Sequence, residues 1–180
     1  DAEKRLGPEL EKSRVSVRTM TGNELNSLTP EAKNQGIAAR VEPFPYSDFE
    51  TELLDVGKSQ NITVLALDQV QDPNNFGNIL RSASCFKVDL VILSRDRTVP
   101  ITASVEKASA GASAHMNVSR VTNLTRSLEA LKSAGCWVYG AEALSGSNIF
   151  ETKISEKAVF VMGAEGPGLR RLVKEHCDIM

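Results

Sequence analysis

ITVLALDQVQDPNNFGNILRSASCFKVDLVILS, residues 62–94, decides the fold. Two apolar runs, ITVLALD at 62–68 and VDLVILS at 88–94, bracket a polar turn and a segment with helical spacing at 75–86. A strand apolar at nearly every position is buried on both faces. A helix between two such strands returns the chain through a right-handed crossover, which makes the strands parallel. The rhythm continues downstream. ITASVEKASAGASAHM (101–116) begins helically, and NVSRV (117–121) is a short strand. TNLTRSLEALKSAG (122–135) is a helix with Leu124, Leu128 and Leu131 on one stripe and Gly135 as its stop. CWVYGAE (136–142) and KAVFVMG (157–163) are further strands, and GLRRLVKEHC (168–177) starts a last helix. Residues 61–180 are therefore an α/β domain, a mostly parallel open sheet flanked by helices.

Upstream, residues 1–42 read as the end of a small α/β unit. A charged helix at 2–13 leads to a strand, VSVR (15–18). Thr21 caps a short helix containing Leu25 and Leu28, and GIAARV (36–41) is a second strand. EPFPYSDFE (42–50) has prolines at 43 and 45 and reads as a linker, with a lead-in helix inside 43–60.

The bulk properties exclude several classes. No apolar run approaches the roughly 18 residues that span a bilayer, so no membrane association is expected. DAEKRLGPEL at the start lacks the order of a signal peptide and an initiator Met, which fits a fragment or a processed form. Cys85, Cys136 and Cys177 have no metal-ligand spacing, and neither His115 nor His176 lies in a partnering motif. The cysteines read as core fillers in a reducing compartment. A net charge of −2 gives no support for binding nucleic acid through overall charge. A local basic face remains open, with Arg81, Lys87, Arg95, Arg97, Lys107 and the pair Arg170–Arg171 as candidates.

Ligands of such sheets bind beyond the carboxyl ends of the strands. Three segments there carry more glycine and polar residues than a connection needs: DPNNFGN (72–78), YGAEALSGS (139–147) and MGAEGPG (162–168). GAEGPG has G-x-x-G-x-G spacing, which is neither the dinucleotide fingerprint nor a P-loop. It is either a tight turn with Glu165 favouring a helix entrance or a loop whose backbone approaches a ligand. In DPNNFGNILRSA, Asp72 and Pro73 build a turn, Asn74 or Asn75 caps a helix, and Gly77 belongs to the turn. Arg81 faces either solvent or a phosphate or ribose oxygen.

Taken together, DPNNFGNILRSA and VFVMGAEGPGLRRL resemble the first and second motifs of the SpoU (TrmH) RNA ribose 2′-O-methyltransferases of the SPOUT class. VDLVILSRDRTVPITASVEKASAGA and RVTNLTRSLEALKSAGCWVYGAEA are similar to the same family at the expected intervals. The nearest likeness is to enzymes that methylate a guanosine ribose of large-subunit ribosomal RNA. Residues 1–42, through KNQGIAAR, resemble the end of their L30e-like substrate-binding domain; Asn34-Gln35-Gly36 stands where that family often has His-Gln-Gly.

The resemblance implies S-adenosylmethionine as cofactor, RNA as substrate, a homodimer and no metal. It assigns Arg81 to the catalytic position, with Asn75 orienting Arg81 or the RNA, and Glu165 pairing with the arginine or positioning substrate. Gly163, Gly166 and Gly168 shape the cofactor loop, and the backbone of Gly140, Ala141 and Glu142 lies against the cofactor. The family's third motif, Ser-Leu-Asn and a helix, follows the position of HCDIM (176–180). It threads a trefoil knot and completes the cofactor pocket and the dimer interface. The domain at 61–180 is thus expected to be C-terminally incomplete, with weak or absent cofactor binding. The alternative is a non-catalytic RNA-binding or ribosome-assembly protein on the same fold. The expected compartment is a bacterial-type cytoplasm, or a mitochondrion or plastid.

Overall fold

The computed structural model describes residues 7, 12–13, 15–29, 34–143 and 146–180. The chain divides into two compact units, Asp1–Pro43 and Phe44–Met180. In the first, helix α1 (Gly22–Leu28) opens with a capping box. Thr21 Oγ1 accepts from Glu24 N at 3.3 Å, and the Glu24 carboxylate accepts from Thr21 N at 2.7 Å. Asn34 Nδ2 closes the other end on Asn26 Oδ1 and Thr29 Oγ1. The segments expected as strands at 15–18 and 36–41 pair with no strand among the described residues, and Gly36 takes a positive φ of 83°. Val15, Val17, Ile37 and Val41 are all exposed there. The helix expected at 2–13 lies largely outside the described residues.

In the second unit, α2 (Phe49–Lys58) is capped by Asp48 and leads into β1 (Ile62–Leu67). Then follow α3 (Pro73–Cys85), β2 (Leu90–Ser94), α4 (Ala103–Ala108), a 3-10 turn at Ala112–His115 and β3 (Asn117–Val121). The chain continues through α5 (Leu124–Ser133), β4 (Trp137–Gly140), β5 (Lys157–Met162) and α6 (Arg171–Glu175). The five strands are all parallel in the order β3-β2-β1-β5-β4. Alternation along each strand feeds two cores. Val64, Ala66, Leu90, Ile92 and Val159 face α5 and Val56 of α2. Leu65, Leu67, Val91 and Leu93 face Phe76, Leu80 and Ala83 of α3 and Val105 of α4.

Three elements differ from expectation. Helix α3 starts at Pro73 because Asp72, rather than Asn74 or Asn75, is its cap, accepting from Asn75 N at 2.7 Å. Gly77 therefore lies inside the helix, not in the turn. The stretch 101–116, expected to begin helically, forms its helix only from Ala103 to Ala108, ahead of the positive φ at Ala110 and Gly111. The proline-rich segment is docked: Ser47 N donates to Val118 O at 2.9 Å, bridging to the β3 edge, and Tyr46 Oη accepts from Ile101 N at 2.7 Å.

At the opposite edge, the last residues run beside β4. Asp178 N donates to Val138 O and Gly140 N donates to Ile179 O, both at 2.8 Å. Lys132 of α5 fixes this segment through Asp178 at 2.8 Å, and that hydrogen bond raises the lysine pKa.

Candidate active site

Directly beyond the carboxyl end of the central strand β1 stands Asp68, a fully buried acid. Its Oδ1 accepts from Arg170 Nε at 2.8 Å and lies 2.7 Å from Nη2, while Oδ2 accepts from Arg170 N at 3.0 Å. A buried carboxylate is tolerable only with such full pairing. This clasp fixes the downstream end of the glycine loop, since Arg170 directly precedes α6. The sequence reading passed over it. The available signal was an acid ending an otherwise apolar run, with an arginine just beyond the glycines.

Within the loop, Gly168 N donates back to Ala164 O at 2.9 Å. Gly163 makes the fold-back possible: a Cβ there would stand 2.2 Å from the Gly168 carbonyl carbon. Gly166 and Gly168 have φ of +88° and +70°, with open space where a Cβ would sit. Glu165 is exposed on the loop, and its Oε2 accepts from Asn75 Nδ2 at 2.7 Å. That bond crosses 90 residues of sequence and joins the first turn of α3 to the glycine loop. With Asp72 acting as the cap, the Asn75 side chain is left available for it.

Arg81 lies on the same helix, six residues beyond Asn75. That offset is about 9 Å along the axis and about 120° around it. Arg81 is exposed and makes no hydrogen bond or ion pair among the described residues. The partner of Glu165 is thus Asn75 rather than Arg81.

The third loop is tied to the chain's own last residues. Gly140 is buried, and a Cβ there would meet Met180 Sδ at 2.4 Å and Cys177 Sγ at 2.8 Å. Ala141 N donates to Val161 O at 2.8 Å, and Glu142 pairs with Lys174. Ser147 N donates to Met180 O at 2.7 Å. The amides of Gly140 and Ala141 are therefore committed to backbone partners. Cys177 is no nucleophile here: burial, reinforced by Asp178, pushes its thiol up to about 11.

Residues 62–180 match the SpoU rRNA Methylase family. A TrmH family tRNA/rRNA methyltransferase homologue of Staphylococcus saprophyticus is 38% identical over 167 residues, covering 92% of this chain and 67% of its own length. A TrmH family structure from Porphyromonas gingivalis superposes with a TM-score of 0.61 at 30% identity, over 78% of this chain and 51% of that one. An rRNA methyltransferase from Sinorhizobium meliloti, solved with AdoMet bound, shares the fold at a TM-score of 0.65 and 23% identity, over 87% and 58% of the two chains. This chain thus spans two thirds of the staphylococcal relative and about half of the Porphyromonas chain. The family profile over residues 62–180 and the staphylococcal relative together show that the chain belongs to the SpoU rRNA methylase family.

Proposed function

We propose that this protein transfers a methyl group from S-adenosylmethionine to a ribose 2′-hydroxyl of RNA, its target a guanosine of large-subunit ribosomal RNA, and that it works as a homodimer. The observation that carries the proposal is the 2.7 Å bond from Asn75 to Glu165, which joins the two motif loops on the helix bearing an exposed Arg81 with no partner among the described residues.

The chain fits the cofactor at Gly166 and Gly168, where backbone borders open space that side chains would fill. These glycines, shaped by the fold-back at Gly163, would hold it on the loop side. Bound S-adenosylmethionine supplies an electrophilic methyl group on a sulfonium. Its methyl group would be offered to the ribose oxygen, with the hydroxyl proton free to leave to a phosphate oxygen or water. A guanidinium offers donors and no acceptor, so Arg81 serves as an electrostatic partner of the developing alkoxide rather than as a base. Asn75 and Glu165 position the loop and leave the arginine to the substrate.

Tritiated methyl transfer to large-subunit ribosomal RNA tests this reading. Methylation should leave the adjacent phosphodiester resistant to alkali, because the 2′-oxygen that would attack it is blocked. Arg81→Ala should slow transfer by about 10²-fold or more with an unchanged melting temperature. An Arg81→Ala protein as fast as wild type would remove the assigned role, and an alkali-labile product would remove 2′-O specificity.

A further inference from the structure

Beyond β2 and β3, at the same end of the sheet as the candidate active site, lie two adjoining concavities. The larger, about 740 Å³, is walled by Arg95, Arg120 and Arg126, with Tyr46 and the start of α2 on its other side. The smaller, about 380 Å³, runs between Ser94 and the start of α6, where Arg170 and Arg171 line it. Thr122 and Asn123 line both, so the two form one continuous track from the end of the glycine loop to the β3 edge.

Its charge is the notable property. Of the seven arginines between residues 44 and 180, five line this track, and no lysine does. In a chain with a net charge of −2, that is a local concentration of one side-chain type. Guanidinium is the group suited to phosphate oxygens, through its planar fork of donors. Arg170 is held by Asp68 and Arg171 by Glu175. Arg120 lies over the Tyr46 ring, 5.4 Å from its centre, and donates to Arg95 O at 3.0 Å. Arg95 and Arg126 are exposed, and neither side chain has an ion-pair or hydrogen-bond partner among the described residues. Three acids border the track: Asp48, Glu50 and Asp96. Asp48 is engaged by Thr51 N and Oγ1, both at 3.0 Å, as the cap of α2.

We propose that this track binds the phosphodiester backbone of the RNA, leading it from the β3 edge toward the glycine loop, with Arg95 and Arg126 as the free phosphate contacts. This rests on the reading of RNA as substrate. It explains how a slightly acidic chain holds a polyanion: contact is confined to one seam.

The test compares the wild-type protein with Arg95→Gln/Arg126→Gln, binding a fluorescein-labelled stem-loop RNA across a salt series. Both sites are exposed, and glutamine keeps the aliphatic stem, so the fold is preserved. Each lost phosphate contact lowers the slope of log affinity against log salt by about 0.7 to 0.9. The double variant should therefore lose about 1.4 to 1.8 in slope, or roughly 20- to 60-fold in affinity at 0.1 M salt relative to 1 M. Lys58→Gln/Lys153→Gln, with the same charge change elsewhere, should keep the wild-type slope. Wild-type slope in the arginine variant, or an equal loss in the lysine variant, overturns the track and leaves RNA methylation standing. Salt-independent or absent RNA binding by the wild type overturns both.

Discussion

Gly77 stands one turn before Arg81, where a Cβ would lie 2.4 Å from Ala108 Cβ and 2.8 Å from Val105 O. The close crossing of α3 and α4 depends on that missing atom, because backbone cannot move aside as a flexible side chain can. Gly77→Ala should therefore destabilise the protein by about 1–3 kcal/mol, as overpacking does, despite the roughly 1 kcal/mol that alanine adds to a helix. Urea denaturation measures it, and a stabilised variant would show that the two helices separate freely. The thiols offer a second check at this scale. Cys85 is exposed, Cys136 is buried, and Cys177 is partly covered, with its thiol raised to about 11. A raised thiol pKa means little thiolate at neutral pH, and the thiolate is the reactive form. Ellman's reagent at pH 8 should find one fast thiol in the native protein, and Cys85→Ser should abolish it. Two fast thiols would mean that residue 177 is open to solvent.

Helix α6 has five residues, too few to stand alone. The Asp68–Arg170 clasp holds its start, and the cost of breaking that clasp depends on which side is removed. Arg170→Ala leaves a fully buried carboxylate with the backbone amide of residue 170 as its remaining recorded partner. Asp68→Asn leaves an arginine whose side chain is 45% exposed and reaches water. Arg170→Ala should therefore cost about 1–3 kcal/mol, below the usual figure for a buried pair because the arginine is half exposed. Asp68→Asn should cost less. Thermal melts of the two variants give the order directly, and the reverse order would mean that water already reaches the carboxylate. The same clasp marks a limit of reading elements from sequence. The strands were legible because burial on both faces leaves near-continuous apolar runs such as Leu90–Leu93. Helix lengths were not. Positive φ at Ala110 and Gly111, and a bond from Asp68 to a residue 102 positions away, reflect tertiary contacts that no local pattern carries.

At the scale of the whole molecule, the sheet order places β1 at the centre with its carboxyl end between the two motif loops. Residue type and position beyond strand ends mark out the two loops, and the family resemblance supplies the candidate roles of Asn75, Arg81 and Glu165. Their pairing could not be read in this way, since the choice of Glu165 with Asn75 over Arg81 follows from Asp72 taking the cap. The sheet's far edge was equally hidden, because Asp178 and Ile179 join β4 through backbone bonds that any sequence can make. Side-chain contacts add specificity there: Lys132 reaches Asp178 at 2.8 Å, and the Asp178 carboxylate accepts from Val138 N at 2.8 Å. The hydrogen bond to Asp178 raises the Lys132 pKa above its ordinary 10.5, burial opposing and Glu129 assisting. For a lysine raised on folding, the stabilisation is complete below the unfolded pKa and is lost as pH rises through the folded one. Wild type should therefore exceed Lys132→Met in stability by a constant margin from neutral pH to about 10, near the ordinary lysine value. Above 10.5 the margin should shrink. Denaturant melts across that range, with amide exchange at Gly140 reporting its bond to Ile179, locate the loss at the β4 edge. A margin that stays constant past the lysine titration would mean that the ammonium does not hold this segment to the sheet.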